Sequence, residues 1–466
     1  MRRTKIIATI GPATDSPEVL GALVEAGMDV ARLNASHSSR VDLERRLTAV
    51  RAAAEAAGRQ VAVMLDLGGP KLRLGEMVPD VQLEVGDSFD IVSGECVGNA
   101  AEACVTYAGL SSDVAPGSRV LIDDGRVQLV VNDVEPGRVH TTVETGGGIS
   151  SHKGLNIPGV RLGVDAITPD DEDDLAWALD AGIDLVAQSF VRSADDVRRL
   201  RDLMGARALP IVAKIEKHEA VADLEDIVAA ADAIMVARGD LGVETSPEAV
   251  PVIQRRIIDA CLAAGKPVII ATQMLESMTA APRPTRAEAS DVANAVFDGV
   301  DALMLSAETA VGAYPVVALS TMARIALTAE GDADHTGWST PVNRGGRDVT
   351  GAVSAAVCEL AHDLDITAIV TATQSGATAR AVASRRPAVP IVAMTPDPAV
   401  ARRLAMVWGV IPVLVQRHET IDQMLERAVE EARSAGVAGP GDLVALTAGV
   451  AVNMPGSTNL VQVRTA

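Results

Sequence analysis

Two neighbouring apolar runs of the sequence end in ionisable residues whose types suit chemistry on an anionic substrate. Lys214 and Glu216 close the run PIVAKIE two residues apart, so both side chains point to the same side of a strand. Asp240 closes the next run, ADAIMVARGD. Carboxylates, substrate oxygens and water are the usual ligands of Mg²⁺, and a neighbouring ammonium suits an anion whose charge moves in the transition state. The sequence therefore predicts a Mg²⁺ site at Glu216 and Asp240, with Lys214 beside it.

Polar or ionic residues end most of the other apolar runs as well. Arg32 and Arg73 are candidates for binding phosphate oxygens, because a guanidinium group holds them in a fork. The GDLG segment, residues 239–242, opens a helix whose N–H groups could bind a carboxylate or phosphate. Salt bridges among these residues would explain a single Lys–Glu pair without any ligand. Polar groups at the ends of six strands instead favour a ligand site. The other polar residues at these ends are Asn34, Ser36, His37, Asp66, Lys71, Arg238, Thr272, Gln273, Ser306 and Glu308.

Eight short apolar runs must position these side chains. Such runs are typical of parallel strands buried on both faces, and helical stretches such as residues 16–27 and 193–206 separate most of them. In the first stretch Ser16 suits the N-cap, Pro17 the first helical position and Gly27 the position after the end. The pattern predicts an α/β fold, a (β/α)₈ TIM barrel with its chemistry at the carboxyl ends of the strands. The runs are 5–11, 28–34, 61–67, 183–190, 210–216, 231–240, 266–274 and 300–309.

The third and fourth runs lie much further apart than the runs that follow, which predicts an insertion. Residues 70–157 contain short strand-like pieces broken by Gly, Asp and Pro, and we expect an inserted β-barrel lid domain there. The composition of residues 330–350 predicts a linker, after which helices and strands alternate again. We therefore expect a catalytic barrel domain (1–69 and 158–338), the lid domain and a C-terminal α/β domain (339–466).

The chain is acidic, with a net charge of −21, and this disfavours some partners. We expect no nucleic-acid binding, because phosphate backbones demand a basic surface. Cys96, Cys104, Cys261 and Cys358 show no CxxC spacing, so we expect neither a zinc site nor a disulfide framework. No apolar stretch is long enough for a signal peptide or a membrane span, which predicts no membrane association and a cytoplasmic location.

Motifs along the whole chain resemble those of the pyruvate kinase family in order and spacing. The most specific is PRPTRAEASDVANAV, and it accompanies TKIIATIGP, VARLNASH, LDLGGPKLR, AKIE, MVARGDLGVE, ATQMLESM and MLSAETAVGAYP. The insertion ends in SHKGLNIPG, and the C-terminal part contains GDLVALTAGV. The resemblance implies Mg²⁺-dependent (or Mn²⁺-dependent) phosphoryl transfer from phosphoenolpyruvate to ADP, which gives ATP and pyruvate in the last step of glycolysis. A lid that closes over such a site would exclude water.

The resemblance also implies a role for each strand-end residue in phosphoryl transfer. Glu216 and Asp240 would hold the divalent cation. Lys214 would stabilise the phosphoryl group in transfer and the enolate that remains. Arg32 and Arg73 would bind the phosphate.

Further residues are implied for the rest of the substrates. The amides of Gly239 and Asp240 and the hydroxyl of Thr272 would hold the substrate carboxylate. The residues implied to face the nucleotide are His37, Arg73 and Lys153, and those implied for a water relay that protonates the enolate are Ser306 and Glu308.

The turn after the third run departs from the pattern of potassium-dependent members, which have Thr-Lys after the strand Asp and Glu where this chain has Lys71. In the family a lysine at this place goes with potassium independence, because a tethered ammonium can supply the charge of K⁺. We expect that K⁺ is not required and that Lys71 replaces it. A solvated loop lysine is the alternative. The other residues of this monovalent-cation region are Asn34, Ser36, Asp66 and Leu67.

The C-terminal segment TATQSGATAR runs from a strand into a helix, which is the geometry of a phosphate cradle. In the family this loop binds sugar-phosphate or nucleotide effectors, and we expect Thr373, Ser375 and Thr378 to contribute. A helix N-cap without a ligand is the alternative. The family also implies a homotetramer.

Two other functions share parts of this pattern. A Mg²⁺-dependent barrel aldolase or lyase that acts on pyruvate enolate would use a similar Lys/Glu/Asp rim, but it needs no nucleotide lid such as the 70–157 insertion. A non-catalytic regulatory paralogue would keep the effector domain, but Lys214, Glu216, Asp240 and Thr272 are all intact here.

Overall fold

A computed structural model describes residues 1–332, 349–417, 420–449 and 458–466. Most of the predicted linker therefore lies outside the described residues, while residues 330–332 end a helix. The described strands form a closed barrel, a group of smaller sheets and a separate five-stranded sheet.

Three strands and two helices precede the insertion. Helix α1 begins after Ser16, whose hydroxyl accepts a hydrogen bond from the Val19 N–H at 3.2 Å, and Pro17 takes its first position. Gly27 follows at φ +108°, a conformation that favours a residue without Cβ. The predicted start and end of this helix are confirmed. The elements are β1 (Lys5–Thr9), a 3₁₀ turn (Pro12–Thr14), α1 (Pro17–Glu25), β2 (Val30–Asn34), a 3₁₀ turn (Ala35–His37), α2 (Arg40–Ala56) and β3 (Ala62–Asp66).

The insertion after β3 consists mainly of short strands, as predicted. Its elements are β4 (Glu76–Met77), β5 (Val81–Leu83), β6 (Ser88–Ser93), β7 (Val97–Gly98), β8 (Glu102–Val105), α3 (Leu110–Asp113), β9 (Arg119–Ile122), β10 (Val127–Glu135), β11 (Arg138–Thr145), β12 (Gly147–Ile149) and β13 (Leu155–Asn156). A six-stranded sheet has the order β13-β9-β10-β11-β6-β8, while β4 pairs with β7 and β5 with β12. Alternating residues such as Phe89, Ile91, Val120 and Leu129 are buried and form a core separate from that of the barrel.

The insertion contains a disulfide, so the expectation that the sequence holds none is wrong. Cys96 and Cys104 are bonded, with their Cα atoms 5.6 Å apart. Cys104 lies on β8, which pairs with β6, and Cys96 lies between β6 and β7. The sheet therefore brings together two cysteines whose spacing of eight residues indicates nothing by itself. Cys261 and Cys358 are free thiols.

The chain returns to the barrel after the insertion. The strands are β14 (Leu185–Gln188), β15 (Ile211–Ile215), β16 (Ala233–Ala237), β17 (Val268–Ala271) and β18 (Ala302–Leu305). The helices are α4 (Pro169–Ala181), α5 (Ala194–Met204), α6 (His218–Ala222), α7 (Leu224–Ala230), α8 (Arg238–Glu244), α9 (Val250–Ala264), α10 (Arg286–Phe297), α11 (Ala307–Ala310) and α12 (Pro315–Asp332), with 3₁₀ turns at Gly205–Arg207 and Glu276–Thr279. All eight predicted runs form the strands of one closed parallel barrel, in the order β1-β18-β17-β16-β15-β14-β3-β2.

The barrel is filled by side chains rather than by solvent. The buried side chains that point inward include Ile7, Met64, Met235 and Met304, together with small residues such as Ala187. The alternate residues of each strand pack outward against the helices. A strand buried on both faces needs apolar residues at nearly every position, which is why these strands could be predicted from composition.

The C-terminal part forms an α/β layer of its own. Its strands are β19 (Ala368–Ala372), β20 (Ile391–Thr395), β21 (Val410–Leu414), β22 (Leu443–Gly449) and β23 (Thr458–Thr465), and its helices are α13 (Val349–Asp363), α14 (Ala377–Ala383), α15 (Pro398–Leu404) and α16 (Ile421–Ser434). The sheet order is β21-β20-β19-β22-β23, and β23 is antiparallel to its neighbour. Within the described ranges, none of the helices combines the length and apolar character that a bilayer span requires.

Candidate active site

Lys214 lies at the centre of a buried ionic cluster at the carboxyl ends of the barrel strands. It belongs to β15, and its Nζ is 3.0 Å from Glu216 Oε1 and 3.2 Å from Asp66 Oδ1. It also donates a hydrogen bond to Ser189 Oγ at 2.7 Å. The sequence-predicted neighbours Lys214 and Glu216 therefore do meet, and Asp66 of β3 joins them.

Electrostatic interactions favour the charged forms of Lys214 and Asp66. Burial opposes the charge of Lys214, but the carboxylates of Asp66 and Glu216 outweigh it and raise the pKa of the ammonium. Burial would also raise the pKa of Asp66, but Lys214 and Arg32 hold it below its ordinary value. The cluster thus keeps a fixed positive charge inside the barrel mouth, where little solvent screens it.

Glu216 and Asp240 form a pair of carboxylates that interact electrostatically. Burial raises the pKa of Glu216, nearby Lys214 opposes this, and the negative charge of Asp240 adds to it. Glu216 also accepts a hydrogen bond from the Phe190 N–H at 2.7 Å, while Asp240 Oδ1 lies 2.8 Å from Lys71 Nζ. Oxygen ligands of this kind suit Mg²⁺ or Mn²⁺ when substrate and water complete the shell. Within the described residues, no group of three or more His, Cys, Asp and Glu side chains could hold a metal ion.

Arg32 is fixed at the edge of the same cluster. Its Nε donates to Asp66 Oδ2 at 2.7 Å and its Nη1 to Thr9 Oγ1 at 3.1 Å. Because Asp66 also faces Lys214, the two cations are held on either side of one carboxylate. This arrangement presents two positive charges to a bound anion.

Thr272 and Gly239 lie together at the ends of β17 and β16. The Gly239 N–H donates to Thr272 Oγ1 at 2.9 Å. Thr272 and Gln273 both adopt left-handed backbone conformations, at φ 67° and 57°. Such strain costs free energy and persists only where the surroundings impose it, typically at functional sites. Arg238 contacts this turn, since its Nη2 donates to the Thr272 carbonyl at 2.7 Å.

Ser306 and Glu308 lie at the end of β18. Glu308 is fully buried and accepts hydrogen bonds from the Ser306 N–H at 2.7 Å and the Leu275 N–H at 3.1 Å. The Ser306 hydroxyl is buried and has no hydrogen-bond partner among the described residues. A buried hydroxyl without a partner is costly unless water or substrate satisfies it.

The residues predicted to face the nucleotide line the junction of the lid and the barrel. Arg73 Nη1 donates to the His152 carbonyl at 3.2 Å, and Lys153 Nζ lies 2.9 Å from Asp123 Oδ1. Partial burial and the positive charges of Arg73, Arg32 and Lys71 lower the pKa of His37, so its ring favours the neutral form.

Lys71 contacts Asp240, one of the two predicted metal ligands, rather than Asp66. Its Nζ also lies 5.8 Å from the centre of the Phe190 ring. Of the other residues in the predicted monovalent-cation region, Asn34 caps the turn Ala35–His37 by accepting from the Ser36 N–H at 3.2 Å, and Leu67 is buried. The ammonium therefore joins the lid to the barrel across the site.

Sequence reasoning missed the contribution of the fourth strand. Ser189 follows β14 and bridges Lys214 to the Leu67 carbonyl, to which it donates at 2.7 Å, while the Phe190 amide holds Glu216. The signal was present, because polar Gln188 and Ser189 stand near the end of the run IDLVAQSF. Sequence reasoning also missed Glu244, a fully buried carboxylate that lies 2.6 Å from Lys217 Nζ.

Of the predicted effector residues, Thr373 and Ser375 lie between β19 and α14, and Thr378 lies in the first turn of α14. Thr373 Oγ1 accepts from the Gly376 N–H at 2.9 Å, and the hydroxyls of Thr378 and Thr458 are 2.6 Å apart. Ser375 is exposed. Two of the three predicted hydroxyls are thus already engaged within the chain.

Comparison with known proteins gives full-length matches. A family model for the pyruvate kinase barrel domain matches residues 1–319, and one for the pyruvate kinase alpha/beta domain matches residues 351–464. Pyruvate kinase of Geobacillus stearothermophilus is 47% identical over 469 residues, which cover 99% of this chain and 80% of that protein. The pyruvate kinases of Clostridium acetobutylicum (43% identical; 100% of this chain, 99% of that protein) and Mycobacterium intracellulare (46%; 99% and 98%) are also similar.

Proposed function

The chain belongs to the pyruvate kinase family of enzymes, and we propose that it transfers the phosphoryl group of phosphoenolpyruvate to ADP. The observation that carries this proposal is the buried cluster in which Lys214 lies 3.0 Å from Glu216, with Asp240 close enough to perturb that carboxyl. Phosphoryl transfer needs positioning and charge neutralisation more than covalent chemistry, and this cluster supplies both.

The substrate binds across the mouth of the barrel. Arg32 and Lys214 hold the phosphate, with Arg73 reaching it from the lid. The amides of Gly239 and Asp240 and the hydroxyl of Thr272 hold the carboxylate. The closeness of these groups supports this assignment, since the Gly239 N–H lies 2.9 Å from Thr272 Oγ1, and a bound carboxylate would replace that hydrogen bond.

Glu216 and Asp240 hold a divalent cation, for which Mg²⁺ or Mn²⁺ fits the two carboxylates. When bound, the cation neutralises charge on the phosphoryl oxygens and on the enolate. Because Lys71 Nζ lies 2.8 Å from Asp240 Oδ1, we expect it to move away when a cation binds that oxygen.

In the transfer step an oxygen of the ADP β-phosphate attacks phosphorus, and the bond from phosphorus to the enolate oxygen breaks. Lys214 stabilises the negative charge on the phosphoryl group and then on the enolate. A proton must next reach the enolate carbon to give pyruvate. The partnerless Ser306 hydroxyl, held beside Glu308, supports a water relay at this place.

The lid completes the nucleotide site. His37, Arg73 and Lys153 bind the nucleotide phosphates, and closure excludes water that would hydrolyse the phosphoryl donor. Lys71 supplies the positive charge of a monovalent cation, so K⁺ is not required. The test is activity in a buffer whose ionic strength comes from an organic cation. Full activity there supports the proposal, and a large stimulation by added K⁺ would contradict it.

Regulation and organisation follow the same family pattern. We propose a sugar-phosphate or nucleotide effector at the loop of Thr373, Ser375 and Thr378, and a homotetramer. The domain division at residues 70–157 and 339 is part of the proposal. The cytoplasmic location stays a prediction.

A coupled assay with lactate dehydrogenase tests the proposed reaction. Lactate dehydrogenase should consume NADH only when the protein, phosphoenolpyruvate, ADP and a divalent cation are all present. Loss of NADH without ADP would indicate a phosphatase. No loss with either Mg²⁺ or Mn²⁺ would favour the aldolase, lyase or regulatory paralogue alternatives and leave the proposal untenable.

A further inference from the structure

The lid contains a pair of cysteines that the proposed reaction does not use. Cys96 and Cys104 are joined in a disulfide, and neither belongs to the substrate, metal or nucleotide residues. We propose that this pair is a reversible thiol–disulfide modification site, exchanged by low-molecular-weight thiols and disulfides, and that its state sets the affinity for the nucleotide.

The other two cysteines do not share this chemistry. Cys261 is completely buried, and burial raises the pKa of its thiol. Burial raises the pKa of Cys358 to about 12. Because the thiolate is the reactive form, both residues resist exchange and oxidation at neutral pH. Reaction with small thiols is therefore confined to the lid.

Solvent reaches Cys96 more readily than Cys104. Cys104 is 2% exposed, whereas Cys96 is only partly buried and is flanked by exposed Glu95 and Val97. A small thiolate therefore attacks the sulfur of Cys96, and the Cys96–Cys104 bond breaks as Cys104 leaves as a thiolate and takes a proton from water. A second thiolate attacks the small-molecule sulfur of the mixed disulfide and releases Cys96 as a thiol. In sum, two small thiols become one small disulfide while the protein disulfide becomes two thiols.

Hydrogen bonds connect the pair to the nucleotide end of the lid. The segment 72–78 carries Arg73 and lies between two other parts of the lid, one around Cys104 and Gly98 and one around Lys153. On one side the Gly75 N–H donates to the Cys104 carbonyl at 2.7 Å, and the Val78 N–H donates to the Gly98 carbonyl at 2.9 Å.

On its other side the same segment holds the nucleotide residues. The Leu74 N–H donates to the Lys153 carbonyl at 2.9 Å, and Arg73 forms an isolated bridge with Gly154. The disulfide closes the loop between Cys96 and Cys104 and so braces the backbone against which segment 72–78 is aligned. Reduction frees this loop, and we expect Arg73 and Lys153 to be less well positioned.

The phosphoenolpyruvate side should respond less than the nucleotide side, because Lys214, Arg32 and Thr272 belong to barrel strands and their turns, and only Arg73 reaches that substrate from the lid. The expected signature is therefore a rise in KM for ADP on reduction that clearly exceeds any rise in KM for phosphoenolpyruvate. This kinetic readout depends on the proposed function, but the thiol count does not.

The test equilibrates the full-length protein with mixtures of reduced and oxidised glutathione, traps free thiols by alkylation under denaturing conditions and counts them by intact mass. We expect the number to change reversibly between four and two, since the chain has four cysteines and one disulfide. The KM for ADP should rise several-fold in the four-thiol state. A Cys96→Ser/Cys104→Ser variant should show the high KM at every ratio, and a Cys358→Ser variant should respond like the parent.

Two outcomes would overturn the proposal. One is a thiol count that does not change at any ratio, whether it stays at four or at two. The other is a reversible change in the count with no change in the KM for ADP. If no turnover is found at any ratio, the proposed function fails, while the thiol count still decides whether the modification site exists.

Discussion

Lys214 is the residue on which the proposed chemistry depends most. Replacement by Met removes the ammonium but keeps the length of the side chain. We expect kcat to fall by about 10²–10³-fold or more, the scale seen when one preorganised charge or donor is lost, with a much smaller change in the KM for phosphoenolpyruvate. Steady-state kinetics measure both values.

The matched control is Lys266→Met. Lys266 donates to the Ala231 carbonyl at 2.6 Å, far along the chain from the cluster, and its loss should leave kcat unchanged. Thermal melts of both variants check folding, because Lys214→Met leaves Asp66 and Glu216 without their shared cation. A folded Lys214→Met enzyme with near-normal kcat would contradict the assigned role.

His37 gives a pH-dependent prediction. Partial burial, followed by the charges of Arg73, Arg32 and Lys71, lowers its pKa, so it should titrate below the ordinary histidine value of about 6.5. Arg73→Met should raise that pKa, whereas Arg119→Met, an exposed lid change, should not. An NMR titration of the ring measures the pKa, and a value at or above the ordinary one would contradict the geometry.

The sign of the stability effect of His37 follows from the same shift. In the window between its folded and unfolded pKa values the unfolded chain binds more protons than the folded chain. The contribution of His37 to stability is therefore complete above the unfolded value and is lost as pH falls through that window.

Individual contacts were harder to predict than residue types. The search for ionic and polar residues at the ends of buried apolar runs selected Lys214, Glu216, Asp66 and Thr272, because such residues are rare in buried runs. It could not predict the pairing of Lys71 with Asp240, since that contact depends on how the lid approaches the barrel. The hydrogen bond from Arg238 to the Thr272 carbonyl likewise joins residues that are distant in sequence.

At the scale of elements, a buried polar contact connects the lid to the barrel close in sequence to the proposed metal ligands. Glu244 of α8 accepts a hydrogen bond from Asn156 of β13 at 2.8 Å and lies 2.6 Å from Lys217 Nζ. Its side chain is fully buried. Asp240 lies on the same helix, and Glu216 precedes Lys217, so this contact braces both proposed ligands.

Glu244→Leu should therefore destabilise the protein by about 3–5 kcal/mol, because it leaves Lys217 buried without a counter-ion. A Lys217→Met/Glu244→Leu double variant should regain most of that loss. Exposed Glu248→Leu is the control and should change the free energy of unfolding by about 0.5 kcal/mol or less. Urea unfolding measures all four proteins, and a double variant as unstable as the single one would contradict the pairing.

The positions of the barrel strands were the most predictable feature of this fold. All eight barrel strands lie inside the predicted runs, because burial on both faces demands apolar residues throughout. The register of the lid sheet, and with it the Cys96–Cys104 disulfide, could not be predicted, since pairing between short strands is set by tertiary packing.

At the scale of the whole molecule, ion pairs connect the barrel to the C-terminal α/β part. Arg386 lies 2.8 Å from Asp301 and also donates to the Gly299 carbonyl at 2.9 Å. Asp184 of the barrel lies 2.8 Å from Arg402 of α15. Contacts of this kind predict that the two parts unfold together.

Arg386→Met should cost about 3–5 kcal/mol, because Asp301 then remains buried and unpaired. The exposed Arg255→Met is the control and should be nearly neutral, since surface pairs contribute little. Calorimetry should show one transition in the parent and a lower transition temperature only in Arg386→Met. Two separate transitions in the parent would contradict the coupling.

The most direct test of the account is a crystal structure with Mn²⁺ and phosphoenolpyruvate, in which anomalous scattering locates the metal. We expect one strong peak about 2.1–2.3 Å from a carboxylate oxygen of both Glu216 and Asp240, with Lys71 displaced from Asp240 and Lys214 facing the substrate phosphate. A peak bound to neither carboxylate, or a Lys71–Asp240 pair that stays intact beside bound substrate, would contradict the account.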